Sequence, residues 1–175
     1  MSDSFRFQIH HVEPRILSKA ISTKGFDCGD TDLNEFLQDD TLHYQSQNLA
    51  QTTCIFYDGS LIGYYSLACD SLTLAKSEAR RAVSHKKRFI KSYPTIKLAR
   101  MAFSKEHHSK GLGRLIIEIV KGMAISLKDE KGLACKYITV DAYPARIGFY
   151  EKCGFVKNQE QPQQATISMR HHIYN

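Results

Sequence analysis

The segment His108-Ser109-Lys110-Gly111-Leu112-Gly113 places two glycines one residue apart in a short loop. That spacing lets the backbone turn tightly and presents successive N–H groups at the start of a helix beginning near Arg114, an arrangement that suits a pyrophosphate. A phosphate-bearing cofactor is the chemistry this loop offers. Further along, Phe149-Tyr150-Glu151-Lys152-Cys153-Gly154-Phe155 reads as a short helix closed by a glycine at its C-terminal end, with a phenol in its last turn.

The elements around these residues decide what the loop is for. Thr95 to Phe103 carries apolar side chains at Ile96, Leu98, Met101 and Phe103 and reads as a half-buried strand. Downstream, Leu115, Ile116, Ile119, Val120 and Met123 recur at helical spacing. The unit is strand, anion-binding loop, helix. It lacks the Lys-Ser/Thr ending of a P-loop and the third glycine of a dinucleotide fingerprint, so neither ATP nor NAD is favoured. A second strand, Cys135 to Ala142, precedes the Tyr150 helix.

Together the two clusters resemble the acetyl-CoA-binding core of the GNAT superfamily of N-acetyltransferases. Its signature is Arg/Gln-x-x-Gly-x-Gly/Ala after a strand, then a strand and a helix ending Phe-Tyr-x-x-x-Gly-Phe. The resemblance implies acetyl-CoA as co-substrate and an α/β fold, a mixed central sheet splayed around it and flanked by helices. It implies pantetheine contacts at Met101, Ala102 and Phe103 and pyrophosphate contacts from Ser109, Lys110, Gly111, Leu112, Gly113 and Arg114. Tyr150 is the implied general acid, since a phenol suits protonation of the departing thiolate. Three positions depart from the pattern: His108 stands where Arg or Gln is usual, Tyr143 where many members carry Asn, and Arg146 where Ala is common.

The amino-terminal half carries a second resemblance. Gly25-Phe26-Asp27-Cys28-Gly29, Leu33-Asn34-Glu35-Phe36-Leu37, Gln47 and Gly63-Tyr64-Tyr65-Ser66-Leu67-Ala68 are similar to the branch of toxins that acetylate aminoacyl-tRNA in toxin–antitoxin pairs. This implies the α-amino group of aminoacyl-tRNA as acceptor and a cognate antitoxin as partner, and it leaves a homodimer open. The alternatives are a small-molecule amine, an antibiotic or a protein amino group as acceptor, or a catalytically idle module that binds CoA or a partner.

The remaining features bound these readings. A chain of 175 residues, 42% apolar and 24% charged, fits a single globular domain over residues 1–175. Its 24 basic against 18 acidic residues give a net charge of +6, a surface that attracts polyanions. The run Lys76, Arg80, Arg81, Lys86, Lys87, Arg88 and Lys91 is a solvated face by default and a phosphate-contacting groove if tRNA is the substrate. Cysteines 28, 54, 69, 135 and 153 show no metal-ligand spacing, so neither zinc nor a disulfide is expected. Without a leader-like apolar segment or a run of transmembrane length, a soluble cytoplasmic protein with no membrane partner is expected. Glu106, His107 and His108 read as solvated loop residues, and Cys153 as a structural thiol.

Along the chain the pattern predicts a strand over 5–12, a short helix over 14–22, and a helix over 33–44 capped by Asp30 or Thr31. Asp58-Gly59 is expected to join strands 52–57 and 60–71 in a tight hairpin. A partly helical basic segment over 76–91 follows, then the cofactor strand, a helix over 113–127, and strands over 136–142, 155–157 and 165–171.

Overall fold

The structure is a computed structural model that describes residues 9–82, 92–108, 110–159 and 165–174. Among the described residues, seven strands hydrogen-bond in the order β1-β2-β3-β4-β5-β7-β6: β1 Val12–Ile16, β2 Gln51–Tyr57, β3 Ser60–Thr73, β4 Ser92–Phe103, β5 Tyr137–Ala142, β6 Val156–Lys157 and β7 Ile167–His172. The helices are α1 Thr31–Glu35, α2 Thr41–Ser46, α3 Lys76–Ala82, α4 Leu112–Lys131 and α5 Ile147–Lys152. This is the mixed α/β architecture that the sequence predicts. Among the described residues, no helix is long and apolar enough to cross a membrane.

Contacts group the chain into two units, the first of residues up to Ala68 plus Leu98–Ile116, the second of Cys69–Lys97 plus Ile117 onward. In the first, β1 and β2 pair antiparallel, as do β2 and β3. The β2–β3 hairpin turns at Asp58 (φ 48°) and Gly59 (φ 78°), both left-handed, as the Asp-Gly pair requires. Asp30 caps α1, its carboxylate accepting from the Leu33 N–H at 3.3 Å, and the helical run continues through a π-helical turn, Phe36–Asp40, into α2. The core of this unit gathers Leu17, Phe26, Phe36, Leu37, Cys54, Tyr64 and Ala102. Tyr64 is anchored by its hydroxyl, which donates to Leu33 O at 2.8 Å.

Two elements differ from the sequence pattern. Ile9–His11 is a 3-10 turn and the first strand is Val12–Ile16, where a helix over 14–22 was expected; residues 5–8 of the expected strand lie outside the described residues. Pro14 suggests a helix start, yet β1 pairs along its whole length with Thr53–Tyr57 of β2. An edge strand needs ladder bonds on one side only and therefore tolerates proline, so tertiary pairing overrides the local signal.

In the second unit β4 and β5 pair parallel over Thr95–Lys97 with Tyr137–Thr139, a ladder shorter than either strand. Strand β7 pairs antiparallel with both β5 and β6. Its core includes Leu72, Leu74, Ala79, Tyr93 and Tyr137. Beside it lies a buried ion pair: Arg170, 16% exposed, donates to Glu78, 6% exposed, at 2.7 Å. Arg170 also donates to Asn158 Oδ1 at 2.6 Å, and the other Glu78 oxygen accepts from the Gln159 N–H at 3.1 Å. Every polar atom of the carboxylate is thus engaged, the condition under which a buried charge is tolerated. Helix α3 accounts for the start of the basic run; residues 83–91, with Lys86, Lys87, Arg88 and Lys91, lie outside the described residues.

Candidate active site

The C-terminal half of β4 alternates its side chains between two faces. Ala102 is 5% exposed and packs in the first unit's core, whereas Met101 and Phe103 are half-buried. The Ala102 side chain is therefore committed to the core, and only its backbone is open to a ligand role. Gly63 on β3 supports this segment by close approach: a Cβ there would stand 2.5 Å from Phe103 Cδ1 and 2.8 Å from the Ala102 carbonyl oxygen. The Ser104 N–H donates to Ile62 O at 2.9 Å and ends the strand.

Beyond Phe103 the chain makes a 3-10 turn, Lys105–His107. The Lys105 N–H donates to Asp27 O at 3.0 Å and its ammonium to Asp27 Oδ2 at 2.6 Å. Asp27 Oδ1 accepts from the Gly29 N–H at 2.8 Å and from Asn34 Nδ2 at 3.1 Å, while Asn34 Oδ1 accepts from the Cys28 N–H at 2.9 Å. The Lys105 hydrogen bond, followed by those from Gly29 and Asn34, holds the Asp27 carboxyl at about 2, well below the usual carboxylate range. The Phe-Asp-Cys-Gly segment is thus a knot that fixes the turn into α1 and braces the residues following β4.

His108 folds back, its Nε2–H donating to Phe103 O at 2.8 Å, so the residue that replaces Arg or Gln closes the loop onto the strand end. His107 Nδ1 lies 2.7 Å from Ser104 Oγ, and burial, then the Lys110 charge, lowers its pKa and favours the neutral ring. Ser109 lies outside the described residues. Gly111 has φ +87°, a left-handed conformation that glycine adopts without strain. Its carbonyl accepts from the Leu115 N–H at 3.2 Å, so α4 starts at Leu112, one residue before the expected span of 113–127.

The N–H groups of Leu112, Gly113 and Arg114 precede that first intrahelical bond, and they sit at the positive end of a 20-residue helix. Leu112, 2% exposed, pins the helix start into the core, while Lys110 is half-buried and Arg114 exposed. Leu112 and Gly113 thus offer backbone rather than side chain. The loop is shaped to receive an anion.

Tyr150 lies in the second unit, on α5, which follows β5 through the 3-10 turn Pro144–Arg146. Its carbonyl accepts from the Cys153 and Phe155 N–H groups, both at 3.0 Å, and Gly154 ends the turn at φ +83°. The ring is gripped edge-on by Phe149 and Phe155, at centroid distances of 5.1 and 5.3 Å. Burial pushes the phenol up to about 12; the nearby Cys153 adds to the effect and Arg146 opposes it. Tyr150 is therefore fully protonated near neutrality, as a proton donor must be. Phe155, 2% exposed, is core, and the Cys153 N–H closes the helix.

Motif reading missed two supports of the site. Lys105 belongs to no motif, and its role follows only from its meeting with Asp27. Gly63 was visible as a glycine inside a strand pattern, a signal of close backbone approach.

The chain is similar to known proteins along most of its length. A model of the acetyltransferase (GNAT) domain matches residues 50–157. A tRNA-acetylating toxin of Mycobacterium tuberculosis is 28% identical over 159 residues, covering 90% of this chain and 92% of the relative. Among solved structures, AtaT complexed with acetyl-methionyl-tRNAfMet superposes with a TM-score of 0.74 at 19% identity, over 92% of this chain and 94% of the other. A tyrosine-to-phenylalanine mutant of AtaT, bound to the C-terminus of the antitoxin AtaR and acetyl-CoA, gives 0.71 at 15% identity, over 93% and 94%.

Proposed function

The chain belongs to the GNAT acetyltransferase domain family, and on that premise we propose that it transfers acetyl from acetyl-CoA to the α-amino group of an aminoacyl-tRNA. The observation that carries the acceptor is the likeness, along 90% of the chain, to a tRNA-acetylating toxin. The net charge of +6 suits a polyanionic substrate. We read residues 1–175 as one acyltransferase domain working in the cytoplasm, where charged tRNA is found, with an antitoxin as its natural partner.

The residues fit the co-substrate. The left-handed Gly111 and the N–H groups of Leu112, Gly113 and Arg114 suit the pyrophosphate, with the Lys110 and Arg114 side chains beside them and Ser109 preceding them in sequence. Met101, Ala102 and Phe103 offer strand backbone to the pantetheine arm. Acetyl-CoA supplies the thioester.

The neutral amine attacks the thioester carbonyl, forming the C–N bond as the C–S bond breaks. The Phe103 N–H, at the end of a rigid strand, is the donor proposed for the oxyanion. Tyr150 gives its proton to the departing sulfur and recovers one from water, while water carries off the proton lost by the amine. A phenol held near 12 is a strong base once ionised, so its reprotonation is fast.

The deciding experiment incubates the purified protein with labelled acetyl-CoA and total aminoacylated tRNA. Label should enter charged tRNA and not deacylated tRNA. Rapid acetylation of a small amine, with none of charged tRNA, would overturn the acceptor.

A further inference from the structure

Along β7 and the residue that follows it, side chains alternate, so Met169, His171 and Ile173 share one face. Met169 and Ile173 are 0% and 2% exposed, which makes His171 a polar ring in a row of buried apolar side chains. Arg170 and His172 point to the other face, where they meet Glu78 and the Tyr137 ring. Both ring nitrogens of His171 are shielded from solvent, and among the described residues neither reaches a hydrogen-bond partner. A neutral imidazole always carries one N–H, and leaving it unpaired in the interior is costly. A leucine or phenylalanine would avoid that cost, so the histidine calls for a role beyond packing.

The contacts of the ring supply that role. It lies against the turn that ends α5: a Cβ on Gly154 would stand 3.1 Å from both Cε1 and Nδ1 of His171. Its centroid is 5.2 Å from that of Phe155, and the Phe155 centroid is 5.3 Å from that of Tyr150. The Phe155 N–H also holds the Tyr150 carbonyl at 3.0 Å. His171, Phe155 and Tyr150 thus form a file of packed rings. We propose that His171 is a positioning residue for Tyr150: neutral, it backs the Gly154–Phe155 turn and seats the phenol, and protonated, it displaces that turn and takes the phenol out of place. This rests on the reading of Tyr150 as the general acid.

The charges around the ring set the direction of the effect. Burial holds the imidazole below its ordinary pKa; the Gly154 backbone and Glu118 oppose this, and Lys121 adds to it. Glu118 already has a cation of its own, pairing with Lys121 on α4 at 3.5 Å. On the α5 side Glu151 pairs with Lys157 at 3.4 Å, and β5 sets the apolar Ile138, 0% exposed, opposite His171 in the ladder. A proton on His171 therefore makes a buried cation without a counter-ion, and moving the turn that covers it relieves the cost. The seating is complete above about pH 6.5, the ordinary imidazole value, and is lost as pH falls through the lowered folded value.

The test follows the full chain, isotope-labelled in its histidine and tyrosine rings, by NMR from about pH 8 to about pH 5. His171 should take up its proton below about pH 6.5, and the Tyr150 ring signal should move with the same midpoint. Transfer to charged tRNA slows below neutrality in any case, because the acceptor amine is protonated, so the kinetic reading is wild-type kcat divided by that of His171→Phe. That ratio should fall about tenfold by one pH unit below the midpoint. His171→Leu should behave as the Phe variant does, which guards against a ring that fits poorly under Gly154, and His172→Gln should keep the wild-type profile. A flat ratio, or a His171 titration that leaves Tyr150 unmoved, would overturn the proposal. So would a His171 ring that stays neutral down to about pH 5. If Tyr150 moves with His171 while Tyr150→Phe keeps full kcat, the coupling stands and the acid reading beneath it falls instead.

Discussion

Lys105 sets its ammonium 2.6 Å from Asp27 Oδ2, so the residue that follows the cofactor strand is tied to the turn that launches α1. Both side chains are more than half exposed, at 60% and 51%, and the pair is open to solvent screening. The Asp27 carboxyl is held at about 2 in the folded protein, against about 3.9 in an unfolded chain. Its contribution is complete above the unfolded value and is lost as pH falls through the folded one. Acid unfolding curves of the wild type and Asp27→Asn should therefore differ near neutrality and converge between about pH 4 and pH 2. An undiminished difference at pH 2 would show that the carboxylate is not the source.

Gly63 should tolerate no side chain. A methyl there meets Phe103 Cδ1 at 2.5 Å, which a rotamer change relieves, and the Ala102 carbonyl at 2.8 Å, which it does not. Gly63→Ala is expected to cost about 1–3 kcal/mol as overpacking and to weaken acetyl-CoA binding by shifting the end of β4. Adding Phe103→Leu should restore only part of the stability, because the backbone clash persists. Full recovery in the double variant, measured by urea unfolding, would place the whole conflict on the Phe103 ring.

The strand–loop–helix unit was legible because each piece has a local cause: period-two apolar residues in β4, a left-handed glycine at 111, helical spacing from Leu115 onward. The short helix that carries Tyr150 was legible for the same reason, since it ends in a glycine with φ +83°. The β1 segment was not, since Pro14 favours a helix start locally and only pairing with β2 makes it a strand. Nor was the Asp27 knot, whose partners Asn34 and Lys105 lie 7 and 78 residues away in sequence. The ion pair of Glu78 with Arg170, 92 residues apart, belongs to the same class. Periodicity reports local preference and is silent on which side chains meet.

Gly111 is expected to separate cofactor binding from folding. A β-branched residue at φ +87° is strained and brings a side chain to the place where the loop is shaped to receive an anion. Gly111→Val should lower acetyl-CoA affinity about tenfold or more, which calorimetry measures directly. Gly111→Ala should lose less. Unchanged affinity in a folded Gly111→Val protein would move the pyrophosphate away from this loop.

Tyr150→Phe tests the chemical step alone. The substitution keeps the ring between Phe149 and Phe155 and removes only the hydroxyl, so melting temperature and acetyl-CoA affinity should hold. With the proton donor gone, the thiolate must leave unprotonated or take its proton from water, and kcat should fall about 10²-fold or more. The pH profile adds a second reading. Burial keeps the phenol protonated up to about 12, so ionisation of Tyr150 should not limit wild-type kcat anywhere between pH 6 and about pH 10, and any fall in that range belongs to another group. Expression of the wild type should arrest bacterial growth, and Tyr150→Phe should relieve the arrest without loss of the folded protein. A Phe variant with wild-type kcat on charged tRNA would remove Tyr150 from the role of acid.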